Sequence, residues 1–184
     1  MIDQTVLLGQ CRDKAFYAFG TSKIFERRMR RLELSRNWIT YLGIVVPLLV
    51  GSLALSFGKE WVVFLAVPAG IVIAIQLALS VWSLVAKWDD KYSYSINAMQ
   101  AQTKLFNAWD QLGKRRPEDL EKLVDELNVD DQRQEALDLA QSISEKEKRY
   151  AMRYSLFHFA QACRSCKTKP ASMKPTNCDT CGNF

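Results

Sequence analysis

Two long stretches without a formal charge follow each other in the middle of the chain. Residues 37–57 form the first, with 21 residues, and residues 61–86 form the second, with 26 residues. A helix of ~20 apolar residues can cross the hydrocarbon core of a bilayer. The alternative is a pair of helices buried in a soluble core, but uncharged helices of this length are rare there. The sequence therefore predicts a transmembrane hairpin with a tight reversal at residues 58–60.

The basic residues around the hairpin predict its orientation. Lysine and arginine accumulate on the cytoplasmic side of a membrane, so both termini are expected in the cytoplasm. The basic cluster beside the first span favours anionic lipid headgroups as its partner and makes nucleic acid an unlikely one. The basic residues that flank the spans are Lys23, Arg27, Arg28, Arg30, Arg31 and Arg36 on one side and Lys87, Lys91 and Lys104 on the other.

The remaining sequence has helical periodicity and no strand pattern, which predicts an all-α membrane protein. Residues 1–36 are expected to form a basic amphipathic helix, residues 87–160 a cytoplasmic helical bundle, and residues 161–184 a small tail. Gly113 is a predicted helix C-cap, and Pro117 marks the start of a short helix. Asp130 or Asp131 is expected to cap a last helix that ends near Ala160.

Small residues recur at every fourth position in both predicted spans. Such stripes let helix backbones approach closely where lipid provides no hydrophobic driving force. They could join the two helices of one hairpin or join neighbouring copies, and the latter predicts a homo-oligomer. Pro47 and Pro68 are expected to bend the spans. The packing residues are Gly43 and Gly51 in the first span and Ala66, Gly70, Ala74 and Ala78 in the second.

A polar line is expected on the side of the second span that faces away from its small residues. It consists of Gln76, Ser80, Ser83 and Lys87. Polar groups at membrane depth are costly unless they are partnered or wetted. The line is therefore a candidate pore or oligomer-facing surface, with interhelical hydrogen bonding as the open alternative.

Four cysteines near the C-terminus have the spacing of a metal site. Cys163 and Cys166 form one Cys-x-x-Cys pair, and Cys178 and Cys181 form another after eleven residues. Two such pairs predict tetrahedral zinc with four thiolate ligands and no open position for a substrate. A redox dithiol is the less favoured alternative. Cys11 is interpreted as an ordinary apolar residue and His158 as a helix residue.

The two spans and this cysteine spacing together resemble the SLATT family of bacterial two-span membrane proteins. The tail resembles a subgroup from mobile genetic elements that is recognised by Cys163, Cys166, Cys178 and Cys181. The resemblance implies a pore-forming effector of the bacterial inner membrane in anti-phage conflict. It also implies a separate sensor or nucleotide-signalling partner, and it carries over no catalytic residue.

The sequence contains no phosphate-binding loop, nucleophile triad or recognisable carboxylate pair, so a non-enzymatic role is expected. The leading hypothesis is a homo-oligomeric effector that forms or opens a pore. The alternative is a membrane anchor whose zinc tail and helical domain recruit a partner protein or nucleic acid. A transporter accessory subunit is a third and weaker interpretation.

Overall fold

The chain is all-helical, as predicted. The computed structural model describes residues 4–57, 59–115 and 118–184, and within them it has five α-helices and no strand. The helices are α1 (Gln4–Phe57), α2 (Lys59–Val85), α3 (Trp88–Arg115), α4 (Leu120–Leu139) and α5 (Glu145–His158).

Two of the described helices are long and apolar enough to cross a membrane. One candidate span lies within Gln4–Leu53 of α1, and the other is Ala66–Val85 of α2. In both, the most apolar stretch is 0% buried within the protein. Lys59 and Glu60, which were expected in the reversal, lie in the first turn of α2, while Gly58 lies outside the described residues.

The chain divides into two compact units. We call Arg28–Tyr94 the hairpin unit, and Met1–Arg27 together with Ser95–Phe184 the helical unit. The helical unit is built around Trp109 of α3, whose side chain is fully buried. The residues buried with it come from α1, α3 and α4: Leu7, Cys11, Ala15, Ala18, Leu105, Leu120 and Val124. Cys11 is therefore a core residue, and burial raises the pKa of its thiol.

Helix α5 crosses α1 at very short range in the helical unit. A Cβ atom on Gly20 would lie 2.7 Å from the Oγ of Ser155 and 3.2 Å from the carbonyl oxygen of Ala151. The same Oγ donates a 2.9 Å hydrogen bond to the carbonyl oxygen of Phe16. Only glycine leaves room for this approach, which brings the end of α5, and the tail after it, onto α1.

The prediction of one helix from Asp130 or Asp131 to Ala160 is wrong. Helix α4 continues through both aspartates to Leu139, and α5 begins only at Glu145. Ser144 caps α5: its Oγ accepts from the Glu147 N–H, and the Glu147 carboxylate accepts from the Ser144 N–H. This reciprocal capping box satisfies two N–H groups that a helix start otherwise leaves unpaired.

Gly113 is not a C-cap, because α3 continues past it to Arg115. A Cβ atom on Gly113 would make an ordinary contact, 3.6 Å from the Cβ of Cys11, so the glycine is tolerated inside the helix. Pro117, the predicted start of the next helix, lies outside the described residues, and α4 begins at Leu120.

Candidate metal centre

Each Cys-x-x-Cys pair closes a backbone turn of the same form. The N–H of Lys167 donates to the carbonyl oxygen of Cys163 at 2.9 Å, and the N–H of Gly182 donates to that of Cys178 at 2.8 Å. In both turns the donor is the fourth residue after the first cysteine. The two turns are also joined to each other, because the Oγ of Ser165 and the Oγ1 of Thr180 lie 2.6 Å apart. The local sequence thus builds two matching turns that present their thiols to one point.

The four sulfur atoms of Cys163, Cys166, Cys178 and Cys181 all lie within 4.8 Å of one another. The Sγ atoms of Cys166 and Cys181 are 3.8 Å apart. A tetrahedral site with metal–sulfur bonds of ~2.3 Å has sulfur–sulfur edges of about 3.8 Å. The cluster therefore has the dimensions of a four-thiolate metal site. Cys163 and Cys181 are buried, whereas Cys166 is exposed.

The surroundings of the thiols favour ionisation on one side of the cluster. The backbone N–H groups of Cys181 and Thr180 lower the pKa of the Cys178 thiol to about 6. The backbone N–H of Thr168 likewise lowers the pKa of the Cys166 thiol. Burial, and after it hydrogen bonding with the three neighbouring cysteines, raises the pKa of the Cys181 thiol to about 12.

Gly182 is required by the second turn for space. A Cβ atom at this position would lie 2.2 Å from the carbonyl oxygen and 2.7 Å from the carbonyl carbon of Thr176. Both are backbone atoms, so they cannot move aside as the end of a side chain could. The same carbonyl oxygen accepts a 2.7 Å hydrogen bond from the N–H of Asn183, the residue that follows the glycine. This bond keeps Gly182 close to Thr176.

The tail is packed onto the helical unit. Phe16 of α1 and Leu156 of α5 share a buried cluster with Cys163 and Cys181. The guanidinium of buried Arg153 donates its Nε–H to the carbonyl oxygen of Ser172 at 2.9 Å. Near the end of the chain, Arg149 donates to the carbonyl oxygen of Asn183 at 3.3 Å, and the ring of Phe184 meets that of Tyr150 at 5.5 Å. The cysteine cluster and α5 are therefore parts of one packed structure.

His158 lies at the end of α5 and is not one of the clustered ligands. Its imidazole stacks on the ring of Phe19, with centroids 4.1 Å apart. The interpretation of His158 as a helix residue agrees with this placement.

Gln76 of the predicted polar line contacts α1 within the hairpin unit. Gln76, Ser80 and Ser83 are half-buried. The Nε2 of Gln76 donates to the carbonyl oxygen of Ile39 in α1 at 3.5 Å, and it would be 2.5 Å from a Cβ atom on Gly43. Gln76 thus contacts the neighbouring helix in this structure, and the role of the line in a pore or an oligomer stays a prediction. Ser83 donates to the carbonyl oxygen of Ser80 at 2.8 Å within its own helix.

Lys87 does not belong to this line. Helix α2 ends at Val85, and Lys87 lies in the following turn with a φ of 51°. A residue in this left-handed conformation interrupts the helical rotation, so the spacing of four from Ser83 no longer places both residues on one face.

The small residues of α2 point out of the hairpin. Ala66, Gly70, Ala74 and Ala78 are all exposed, and no atom lies within 4 Å of a Cβ placed on Gly70. In α1 the two glycines separate: Gly43 faces Gln76, whereas Gly51 is exposed with no atom within 4 Å of an added Cβ. Of Gly43, Gly51 and Gly70, only Gly43 thus has a close neighbour in the described part of the hairpin unit.

The thiol pKa values predict that metal affinity increases with pH. Cys181, with a pKa of about 12, is protonated throughout the neutral range and must release its proton when a metal binds. Each proton released makes the affinity rise about tenfold per pH unit. We therefore expect binding at least that much tighter at pH 8 than at pH 7 in a chelator competition titration. A pH-independent affinity would contradict the four-thiolate assignment.

The fold and site define an all-helical protein with a four-cysteine centre of the kind that binds a metal ion. The chain belongs to the Mobilome CxxCx(11)CxxC protein family, whose model matches residues 9–184. No curated protein and no solved structure matches the chain significantly.

Proposed function

We propose that the four cysteines bind one zinc ion in a structural role. Four thiolates in a compact tetrahedral arrangement suit zinc, and they leave no open coordination position for a substrate. The tight packing of Cys163 and Cys181 against Phe16 and Leu156 supports a structural rather than a redox role, because these thiols are buried. The proposed function is non-enzymatic.

The proposal places the chain in the bacterial inner membrane as a two-span protein with both termini in the cytoplasm. The exposed apolar surfaces of α1 and α2 would contact lipid, and the arginines of α1 would contact anionic headgroups. Two contacts already engage Arg36 in the hairpin unit: it lies 3.3 Å from the carboxylate of Asp89, and its guanidinium lies 4.8 Å above the ring of Tyr92.

Topology is tested with single added cysteines and a membrane-impermeant maleimide. Basic residues precede the first span and follow the second, which predicts that these ends are cytoplasmic and that the connection between the spans is periplasmic. We therefore expect labelling of Lys59→Cys from the periplasm. We expect no labelling of Lys114→Cys until the inner membrane is opened. The unmodified protein measures the background from its five native cysteines. Reversed labelling would place the metal centre outside the cytoplasm and contradict the topology.

The leading function that we propose is a homo-oligomeric membrane effector that opens a pore, in keeping with the resemblance to SLATT proteins. One observation carries it: the small-residue stripe of α2 points away from α1 and has space above Gly70. Such a stripe lets a helix of a second copy approach closely. In the conformation described here, the contact of Gln76 with α1 would correspond to a closed hairpin. Opening would turn Gln76 and its neighbouring serines toward a lumen, after a signal from a separate sensor or nucleotide-signalling protein.

The effector proposal is tested by inducing the protein in bacteria with a membrane-potential dye. We expect wild type to depolarise the cells when its genomic neighbours and phage are present. Gly70→Leu should prevent this, because the larger side chain separates the copies and weakens pairing by about 1–2 kcal/mol per contact. Ser52→Leu is the control, since it adds similar bulk to an exposed position of α1. Unchanged potential with wild type under all these conditions would reject the pore.

A second candidate function is a membrane-anchored binding module. It is favoured by the contact of Gln76 with α1, which keeps this polar side chain away from the exposed surface of α2. The exposed residues that are described between Phe64 and Val85 are all apolar or small. An anchor needs no polar surface toward lipid. In this case the helical unit and the zinc tail would recruit a partner protein, with nucleic acid the less favoured partner. The two functions differ in ion leakage across the membrane. A membrane anchor produces no leakage in any variant, whereas a pore does when it opens.

A further inference from the structure

A cavity of about 580 Å³ lies among four helices of the helical unit. Its walls come from α1, α4 and α5, and α3 contributes Gln102. The volume falls within the ~300–1,000 Å³ of small-molecule sites, which often lie between the helices of bundles. The rim is open to solvent, since Tyr17 and Leu139 are 58% and 76% exposed.

One part of the lining is apolar. Ile24 and Ala18 are buried in α1, and the residues around them provide aromatic and aliphatic surface. This part suits the hydrocarbon body of a ligand rather than a bare ion. The apolar lining residues are Phe16, Tyr17, Ala18, Ile24, Leu139, Ile143, Ala151 and Met152.

The opposite part carries a carboxylate that is fixed before any ligand arrives. Asp138 is only 4% exposed. Its carboxylate oxygens accept hydrogen bonds from the Nε2 of Gln102 at 2.7 Å and from the Nε2 of Gln134 at 2.9 Å. Both of these donors are neutral amides, so these two hydrogen bonds orient the carboxylate and bring no positive charge to it. Glu135 lines the same cavity from one turn earlier on α4.

The charged side chains that line the cavity carry a net negative charge. Two lysines line it, but each is engaged: Lys14 lies 2.5 Å from the carboxylate of Asp131, and Lys148 lies 2.7 Å from that of Glu145. Glu135 and Asp138 add two further negative charges to the lining. Three carboxylates and two ammonium groups therefore line the cavity, and this excess of negative charge beside apolar walls attracts cations.

We propose that this cavity binds a small organic cation, with an ammonium or guanidinium group on an apolar body. The cationic group would lie against Glu135 and Asp138, and the apolar body against Ile24 and its neighbours. This site goes beyond the proposed function, because it requires neither an oligomer nor a pore and uses none of the four cysteines.

The test uses full-length, metal-loaded protein in lipid nanodiscs and two probes of the same shape. The first is 2-phenylethylammonium, and the second is the uncharged 2-phenylethanol. Binding is measured by saturation-transfer NMR with empty nanodiscs as the reference for lipid partition. The variants are Glu135→Gln in the cavity and Glu121→Gln, which makes the same change at an exposed position of α4 outside it. Thr21→Leu, which takes up cavity volume without changing charge, is a third.

We expect saturable binding of the cation and at least about fivefold weaker binding of the alcohol. Glu135→Gln and Thr21→Leu should weaken cation binding by a similar factor, whereas Glu121→Gln should leave it unchanged. The proposal is overturned by cation binding no greater than in empty nanodiscs or by equal binding of both probes. Equal weakening by both glutamate variants would also overturn it, since this would indicate general attraction to the acidic surface. These outcomes are independent of membrane potential, so failure here and failure of the pore are distinguishable.

Discussion

Purified Cys178→Ser protein should contain almost no zinc, whereas wild type should contain close to one ion per chain. Serine cannot supply the thiolate that two backbone N–H groups stabilise at this position. Structural zinc sites contribute ~10–16 kcal/mol of apparent binding free energy, so loss of one of four ligands removes a large share of the driving force for tail folding. The measurement is metal content by mass spectrometry after dialysis against a weak chelator.

The same variant should also release the tail from α5. The N–H groups of Gly182 and Asn183 should exchange with solvent much faster, because their hydrogen bonds form only in the folded turn. Cys11→Ala is the matched control: it also removes a thiol, but one outside the cluster. The hairpin should remain inserted in both variants. Metal-free wild type with two disulfides, isolated under reducing conditions, would refute the zinc site.

Gly43→Ala should increase ion leakage through the hairpin several-fold, and Gln76→Leu should abolish it. The added methyl group would lie 2.5 Å from the Nε2 of Gln76, so the flexible amide must leave the interface. Its displacement also breaks the bond to Ile39, a loss of about 0.6 kcal/mol for a typical interhelical hydrogen bond in a membrane. The proposed pore would then open more readily. The measurement is dye-monitored potassium leakage from proteoliposomes.

Gly51→Ala is the control for this experiment, since no atom lies within 4 Å of its added Cβ. The double variant Gly43→Ala with Gln76→Leu should behave like Gln76→Leu alone, because the displaced amide is then absent. If Gly43→Ala leaks no more than wild type, the contact with Gln76 does not keep the proposed pore closed. If Gly51→Ala leaks as much as Gly43→Ala, the contact with Gln76 is not the gate.

The four-cysteine cluster could be predicted from sequence because the geometry of each turn is local. Each Cys-x-x-Cys pair forms its own turn, and Gly182 follows the last cysteine as a knuckle requires. The packing of the tail could not be predicted in the same way. Arg153 and Ser172 are 19 residues apart, and Ser155 and Phe16 are separated by 139 residues. No periodicity connects such pairs, and only the folded chain brings them together.

The hairpin unit shows what helical periodicity can predict about α2 and what it cannot. It correctly separates Gly70 and its neighbouring small residues from Gln76 and Ser80, because rotation along one helix is fixed. It contains no information on which side meets α1. The small residues of α2 are an equally good candidate for that contact, but it is Gln76 of α2 that packs on Gly43 of α1. The missed start of α5 is different, since Ser144 and Glu147 form a capping box that was readable in the sequence.

The loop between the two cysteine pairs has a length that its backbone acceptors fix. The carbonyl oxygen of Thr168 accepts from Cys163, that of Ser172 from Arg153, and that of Thr176 from Asn183. These acceptors recur at every fourth residue across the eleven-residue interval from Lys167 to Asn177. Insertion or deletion of one residue would therefore put at least one acceptor out of register with its donor. The length of eleven residues keeps all three acceptors in register with their donors. We therefore expect relatives to vary the side chains of this loop far more readily than its length.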